Sequence, residues 1–137
     1  MLKLPKLRIE TDRGIHLNLK NTTFFVRCAY VGFSENRPVV CIDVTNPAAM
    51  EPVKRFIVSY ARVRRVRYAA VVAGERVWFY DTVERREIGE DEINVHAHPP
   101  EPDDKDFRIA AAYYGLIHCQ CGEEDEGNSL CRLSAKR

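Results

Sequence analysis

The spacing of apolar residues changes along the chain and divides it into a β-rich first half and a helix-containing second half. Residues 15–20 alternate strictly between apolar and polar, which predicts a half-buried strand after a first strand at residues 7–10. Residues 23–31 are rich in aromatic and β-branched side chains and predict one longer strand, followed by a loop at residues 32–37. Residues 39–44 are almost continuously apolar, as expected for a central strand covered on both faces.

After residue 47 the apolar residues recur at helical spacing. They predict a helix from about Glu51 to about Arg65, since Pro52 suits a first helical turn. Residues 67–72 and 77–80 then predict two strands of a hairpin with its turn at Gly74.

The remaining residues complete the predicted fold. Residues 81–106 are polar and acidic and are predicted to be mostly loop, with a short strand at 93–95. A closing helix follows from residue 105 to about 117. The elements together predict an α+β fold: a mixed, mainly antiparallel sheet with a basic helix after the central strand and a C-terminal helix. The first helix permits strands 39–44 and 67–72 to be a parallel pair.

Length and composition indicate the number of domains and exclude some functions. A chain of 137 residues with 45% apolar and 30% charged residues predicts a single domain, which we place at residues 1–118, followed by a Cys-containing charged tail at 119–137. The 21 basic and 20 acidic residues nearly cancel, so bulk charge does not indicate nucleic acid. Without a long apolar run or a signal peptide, we expect a cytoplasmic protein that does not bind membranes. Abundant Arg and Glu with few Gln are typical of a hyperthermophile.

The middle of the chain carries a resemblance to a known family. The string Pro-Val-Val-Cys-Ile-Asp43-Val-Thr45, a helix and the hairpin Tyr-Ala-Ala-Val-Val-Ala-Gly-Glu-Arg-Val-Trp78-Phe-Tyr80-Asp81 follow one another. They resemble the PD-(D/E)XK nuclease superfamily, in particular the nuclease domain at the N-terminus of type I restriction enzyme motor subunits. The resemblance covers about residues 23–88. It implies a restriction-endonuclease-like core.

The chain departs from that family where the chemistry lies. Asp43 stands at the Glu of the Glu-x-Lys motif, but Thr45 replaces its lysine, and the earlier acid falls at Cys28 or Ala29. The family tyrosine of the helix is present as Tyr60. Metal-assisted hydrolysis needs at least two converging carboxylates and a group that handles the proton. The resemblance therefore implies a nucleic-acid-binding or structural subunit that does not cleave and needs no cofactor.

Two other functions remain open at this stage. Asp43 could bind Mg²⁺ in a divergent nuclease, together with an acid such as Glu10 or Asp12. In the third hypothesis the chain is a protein-interaction module whose exposed sheet or Cys tail binds a partner subunit. The alternative to a metal-binding role for Asp43 is a carboxylate that caps the loop at the strand end or pairs with a nearby arginine.

Six cations concentrated around the first helix are the predicted nucleic-acid-binding residues. Arg side chains bind phosphate oxygens bidentately, so this surface would contact the backbone of DNA or RNA. The alternative is a solvated helix face whose charge is balanced by the acidic residues 84–91. The six residues are Lys54, Arg55, Arg62, Arg64, Arg65 and Arg67.

The C-terminal tail brings three thiols close to an imidazole. His118, Cys119, Cys121 and Cys131 are residue types that bind zinc, although the Cys-x-Cys spacing leaves little chain to wrap an ion. Free thiols and a short disulfide loop are the alternatives.

Overall fold

The computed structural model describes residues 6–118, which form a six-stranded sheet, a separate β-hairpin and two α-helices. The predicted α+β class is confirmed. The strands are β1 (Arg8–Thr11), β2 (Ile15–Leu19), β3 (Thr22–Val26), β4 (Tyr30–Ser34), β5 (Arg37–Thr45), β6 (Tyr68–Ala73), β7 (Arg76–Asp81) and β8 (Arg86–Ile88), and the helices are α1 (Met50–Val63) and α2 (Asp104–His118).

The sheet has the strand order β1-β4-β5-β6-β7-β8, and β2 pairs with β3 in the hairpin. Strands β5 and β6 pair in parallel and all other neighbours are antiparallel. Parallel neighbours need a crossover connection, which α1 provides. The parallel pair that the sequence permits is therefore formed.

Two groups of apolar side chains cover the two faces of the sheet. On one face, residues of α1, α2 and the β2–β3 hairpin pack against the sheet around the fully buried Phe56, Ile57 and Tyr60. On the other face, Val40, Ile42 and Phe79 are covered by side chains of residues 7–9 and 93–97. This double coverage explains why β5 is almost continuously apolar.

Three segments differ from the predicted secondary structure. Residues 23–31 form two strands, β3 and β4, with a break at residues 27–29, and β4 continues into the predicted loop as far as Ser34. Residues 93–95 do not form a strand; Ile93 and Val95 pack against the sheet from an irregular segment. In contrast, β8 forms within the predicted loop and pairs with β7.

Gly14 determines how the chain turns from β1 into β2. Its φ is +83°, and a Cβ there would lie 2.7 Å from the carbonyl oxygen of Val26 and 2.6 Å from the ring of Phe25. Only glycine fits so close to another backbone. This turn places Asp12, two residues earlier, beside the start of β4, where its backbone amide donates to the carbonyl oxygen of Ala29.

The predicted tail at residues 119–137, with its three cysteines, lies outside the described residues. Among residues 6–118, no helix is both long and apolar enough to cross a membrane.

Candidate nucleic-acid interface

The first candidate site is a buried cluster around Asp12, at the end of β1. One carboxylate oxygen of Asp12 accepts hydrogen bonds from the Cys28 backbone amide at 3.0 Å and the Tyr60 hydroxyl at 2.5 Å. The other oxygen accepts one from Arg64 Nη1 at 2.8 Å. Burial opposes ionisation of Asp12, but the hydrogen bonds from Tyr60 and Arg64 outweigh it and lower the pKa of this carboxyl.

Asp43 lies next to this cluster on β5. Its carboxylate accepts a hydrogen bond from the Ala29 amide at 3.1 Å, so the consecutive amides of Cys28 and Ala29 each bind one of the two aspartates. Burial raises the pKa of Asp43 to about 6. Cys28 and Ala29, the positions expected for the first nuclease acid, thus contribute backbone N–H donors to this cluster. The carboxylate that lies near Asp43 is that of Asp12.

This cluster is closed by protein contacts. Asp12 is 4% exposed and Asp43 6%, and Tyr60 is fully buried. Both oxygens of Asp12 already have donors, and residues 6–118 contain no group of three or more His, Cys, Asp or Glu placed to bind a metal. A buried carboxylate whose oxygens all accept hydrogen bonds holds the donating elements together. Here it joins β1, the start of β4 and α1.

The six predicted nucleic-acid-binding cations do not share one surface. Arg62 is buried and donates from Nε to Asp106 at 2.9 Å, and Arg67 makes a bidentate contact with Asp81. The interpretation of Arg62 as solvent-facing is wrong, because α2 packs against that side of α1. Arg64 is bound to Asp12.

The remaining three cations differ in their partners. Arg65 is exposed and lies 2.6 Å from a carboxylate oxygen of Glu101. Lys54 lies 3.4 Å from Glu51. Arg55 is exposed and has no carboxylate within 4 Å among residues 6–118.

Lys54 and Arg55 line a groove that we call the α1–β7 groove. It encloses about 690 Å³ between α1, β7, the β7–β8 turn and the start of α2. Two half-buried aromatic rings, Trp78 and Tyr80, lie on its sheet side with ring centroids 5.3 Å apart and an interplanar angle of 19°. The Lys54 ammonium lies 4.9 Å from the centre of the Trp78 ring.

Two further cations line the same groove. Arg85 lies in the β7–β8 turn and Lys105 in the first turn of α2; both are exposed, and like Arg55 neither has a carboxylate within 4 Å in the described part of the chain. Arg86 also lines the groove but pairs with Glu84 and Glu92. Three cations without such partners and two aromatic rings therefore share one concave surface.

Local sequence explains how these side chains meet. Alternation along β7 turns Trp78 and Tyr80 toward the helices, while Phe79 packs on the opposite face of the sheet. At the start of α2, Asp103 accepts from the Asp106 amide at 3.0 Å and Asp106 accepts from the Asp103 amide at 2.8 Å. This reciprocal cap fixes where α2 begins, and thereby where Lys105 lies.

The sequence analysis missed Arg85, Lys105 and the aromatic pair as site residues. The period-2 placement of Trp78 and Tyr80 was a usable signal, because residues of one strand face separated by two positions lie side by side. The convergence of Arg85 and Lys105 on them depends on tertiary packing, which spacing does not reveal.

The cysteines divide between the core and the tail. Cys28 and Cys41 are buried free thiols, and burial raises the pKa of Cys28. His118 ends α2 with its ring 4.3 Å from that of Tyr114, and partial desolvation of the imidazole lowers its pKa. The other three predicted zinc ligands, Cys119, Cys121 and Cys131, lie outside the described residues.

Comparison with known proteins identifies a relative of this chain. A protein of Archaeoglobus fulgidus, described as uncharacterized, is 42% identical over 122 residues, which cover 89% of this chain and 92% of that protein. The chain belongs to the family of that archaeal protein. The relative comes from a hyperthermophilic archaeon, in agreement with the expectation from composition. No family model and no solved structure matches the chain.

Proposed function

We propose that the chain is a nucleic-acid-binding protein with a restriction-endonuclease-like core and no cleavage activity of its own. The α1–β7 groove is the observation that carries this proposal. Arg55, Arg85 and Lys105 surround it without carboxylate partners within 4 Å in residues 6–118, so their charges are available to phosphates. Of the six cations predicted from sequence, Lys54 and Arg55 belong to this interface.

The other cations of the predicted set have a different role in this proposal. Arg62, Arg64 and Arg67 are bound to Asp106, Asp12 and Asp81 at 2.8–2.9 Å. Buried or half-buried pairs of this kind stabilise the fold and are not released to a ligand without cost. Phosphate binding therefore depends on groove cations and only weakly on these arginines.

Loss of cleavage follows from the state of the two aspartates. A catalytic metal would need free carboxylate oxygens, whereas Asp12 binds Arg64, Tyr60 and the Cys28 amide. The proximity of Asp12 and Asp43 favours the competing hypothesis of a divergent Mg²⁺-dependent nuclease. In that hypothesis the metal displaces Arg64 from Asp12.

Binding is tested by fluorescence anisotropy with labelled single- and double-stranded DNA and RNA. If three phosphates are contacted, the log–log dependence of affinity on salt has a slope of about −2 for a single strand and about −3 for a duplex. The combined change Arg55→Ala and Lys105→Ala should reduce the size of that slope, and Arg37→Ala should not, because Arg37 is exposed but does not line the groove.

Absence of binding up to about 100 μM at low salt, where the electrostatic contribution is largest, would contradict the proposal and leave the protein-interaction module as the surviving hypothesis.

Cleavage is tested separately with the same nucleic acids and Mg²⁺ or Mn²⁺. We expect no cleavage. Cleavage by the wild-type protein that disappears in Asp43→Ala would establish the nuclease instead, and Arg64→Ala would then be expected to increase metal affinity by freeing Asp12.

A further inference from the structure

We infer that the α1–β7 groove binds a single strand, with an unpaired base stacked on the Trp78 ring, which itself stacks on Tyr80, and the backbone phosphates on Arg55, Arg85 and Lys105. This inference rests on the proposed function and adds the class of nucleic acid and the side chains that distinguish it. Aromatic side chains stack on any unpaired base, so such a site tolerates different sequences.

The aromatic pair has the geometry of a stacking platform. The rings of Trp78 and Tyr80 are nearly parallel, 5.3 Å apart between centroids, and half-buried, so they are held in place and still reachable from the groove. Both pack against the core formed by α1 and α2. A platform fixed before binding loses little conformational entropy when a base stacks on it.

Lys54 couples stacking to phosphate binding. Its ammonium lies 4.9 Å from the centre of the Trp78 ring and 3.4 Å from a carboxylate oxygen of Glu51. A base that stacks on the indole takes the place of this ammonium. The Lys54 side chain is then available to a phosphate of the same strand, as a fourth cation of the groove.

The acidic residues of the groove do not cancel its charge. Glu51 pairs with Lys54, Asp106 with Arg62, and Asp103 accepts the Asp106 amide in the cap of α2. Glu87 on β8 and Asp103, whose charge the amide does not neutralise, remain as lining carboxylates without a basic partner within 4 Å among residues 6–118. The three cations that have no carboxylate within 4 Å in residues 6–118 outnumber these two carboxylates.

A duplex fits this surface less well than a single strand. Bases in a duplex are paired and stacked on one another, so they offer no free face to Trp78. Proteins that recognise unpaired strands combine a cationic groove with aromatic rings, whereas duplex binding relies mainly on phosphate contacts and groove edges. The combination on this chain matches the first case.

Trp78 is the one tryptophan of the sequence, so intrinsic fluorescence reports on the groove directly. Titration with oligo(dT) and oligo(U) should quench this fluorescence saturably, and a duplex of the same length should bind more weakly with little quenching. Tyr80→Leu keeps the reporter and should weaken single-strand binding about fivefold or more, while duplex affinity changes less than about twofold.

Two further variants test the inference even if Tyr80→Leu does not fold. Arg85→Asn should weaken binding of both forms at low salt; Arg85 has a φ of +58°, which asparagine tolerates better than most residues. Arg37→Ala, an exposed arginine outside the groove, should leave binding and quenching unchanged. Circular dichroism and melting curves confirm that each variant is folded.

The outcomes separate the two proposals. Single-strand binding without quenching of Trp78, or a duplex bound as tightly as the single strand, would overturn this inference and leave nucleic-acid binding intact. If neither form binds at low salt, both proposals fail.

Discussion

Arg62 and Arg65 offer a matched test of how burial determines the contribution of an arginine. Arg62 lies in the last turn of α1 and Arg65 just after its end, and each pairs with one carboxylate, at 2.9 Å and 2.6 Å. The sequence alone predicts two solvent-facing side chains with equally small effects on stability. The structure predicts very different effects of changing each to alanine.

The loss of stability expected for Arg62→Ala follows from the hydrogen-bond partners of Arg62. Its guanidinium donates to Asp106 and to the carbonyl oxygens of Thr82 and Glu101, and both charged side chains are at most 10% exposed. Removing one partner of a buried pair costs about 3–5 kcal/mol, since the other charge is left uncompensated. Asp106 would retain the Asp103 amide, which favours the lower end of that range. The exposed pair of Arg65 contributes about 0–1 kcal/mol.

The assay is guanidinium chloride unfolding at 25 °C, followed by Trp78 fluorescence and far-UV circular dichroism. Arg62→Ala should lower the free energy of unfolding by about 3 kcal/mol or more, equivalent to a melting temperature lower by about 10–15 °C, and Arg65→Ala by less than about 1 kcal/mol. The double variant Arg62→Ala/Asp106→Ala should lose less than the sum of its single variants, because each single change already breaks the shared pair. Equal losses for Arg62→Ala and Arg65→Ala would refute the reasoning.

Three further predictions concern stability. Burial raises the pKa of Asp43 from 3.8 to about 6, so the folded state binds this proton more tightly than the unfolded state. The free energy of unfolding should therefore fall by about 3 kcal/mol as pH rises from about 4 to about 6. Denaturant titrations across this pH range should show no such fall for Asp43→Asn. Gly14→Ala should cost about 3 kcal/mol or more in melting experiments, whereas Gly74→Ala, in open space at a φ of +64°, should cost about 1 kcal/mol. Tyr60→Phe removes the donor to Asp12 at 2.5 Å and should cost about 1–3 kcal/mol, measured against wild type by chemical unfolding.

Local periodicity was sufficient for most of the secondary structure. The helices α1 and α2, the central strand β5 and the β6–β7 hairpin are all encoded in the spacing of nearby apolar residues, and the parallel pairing of β5 with β6 follows from the helix between them. The break at residues 27–29 is not encoded in this way. It depends on Asp12 and Asp43, which bind the amides of Cys28 and Ala29 from 16 and 14 positions away, respectively.

The site was less predictable than the fold for the same reason. Helical geometry places Arg62 and Arg65 correctly along α1, but it contains no information on the second helix that covers one of them. Asp106, the partner of Arg62, lies 44 positions later in the sequence. Likewise, Arg85 and Lys105 join Trp78 only because three separate elements converge on one groove.

The order of strands in the sheet has a consequence for how the protein avoids aggregation. Within residues 6–118 the sheet ends on β1 and β8, which are four and three residues long. Charged residues mark both ends: Arg8 pairs with Glu10 on β1, and Arg86 and Glu87 occupy β8. A long, flat, apolar edge would be a template for pairing with another chain, and short charged edge strands are poor templates. The long apolar strands β5 and β6 lie inside the sheet, so partial opening at either edge exposes little that can nucleate strand exchange between molecules.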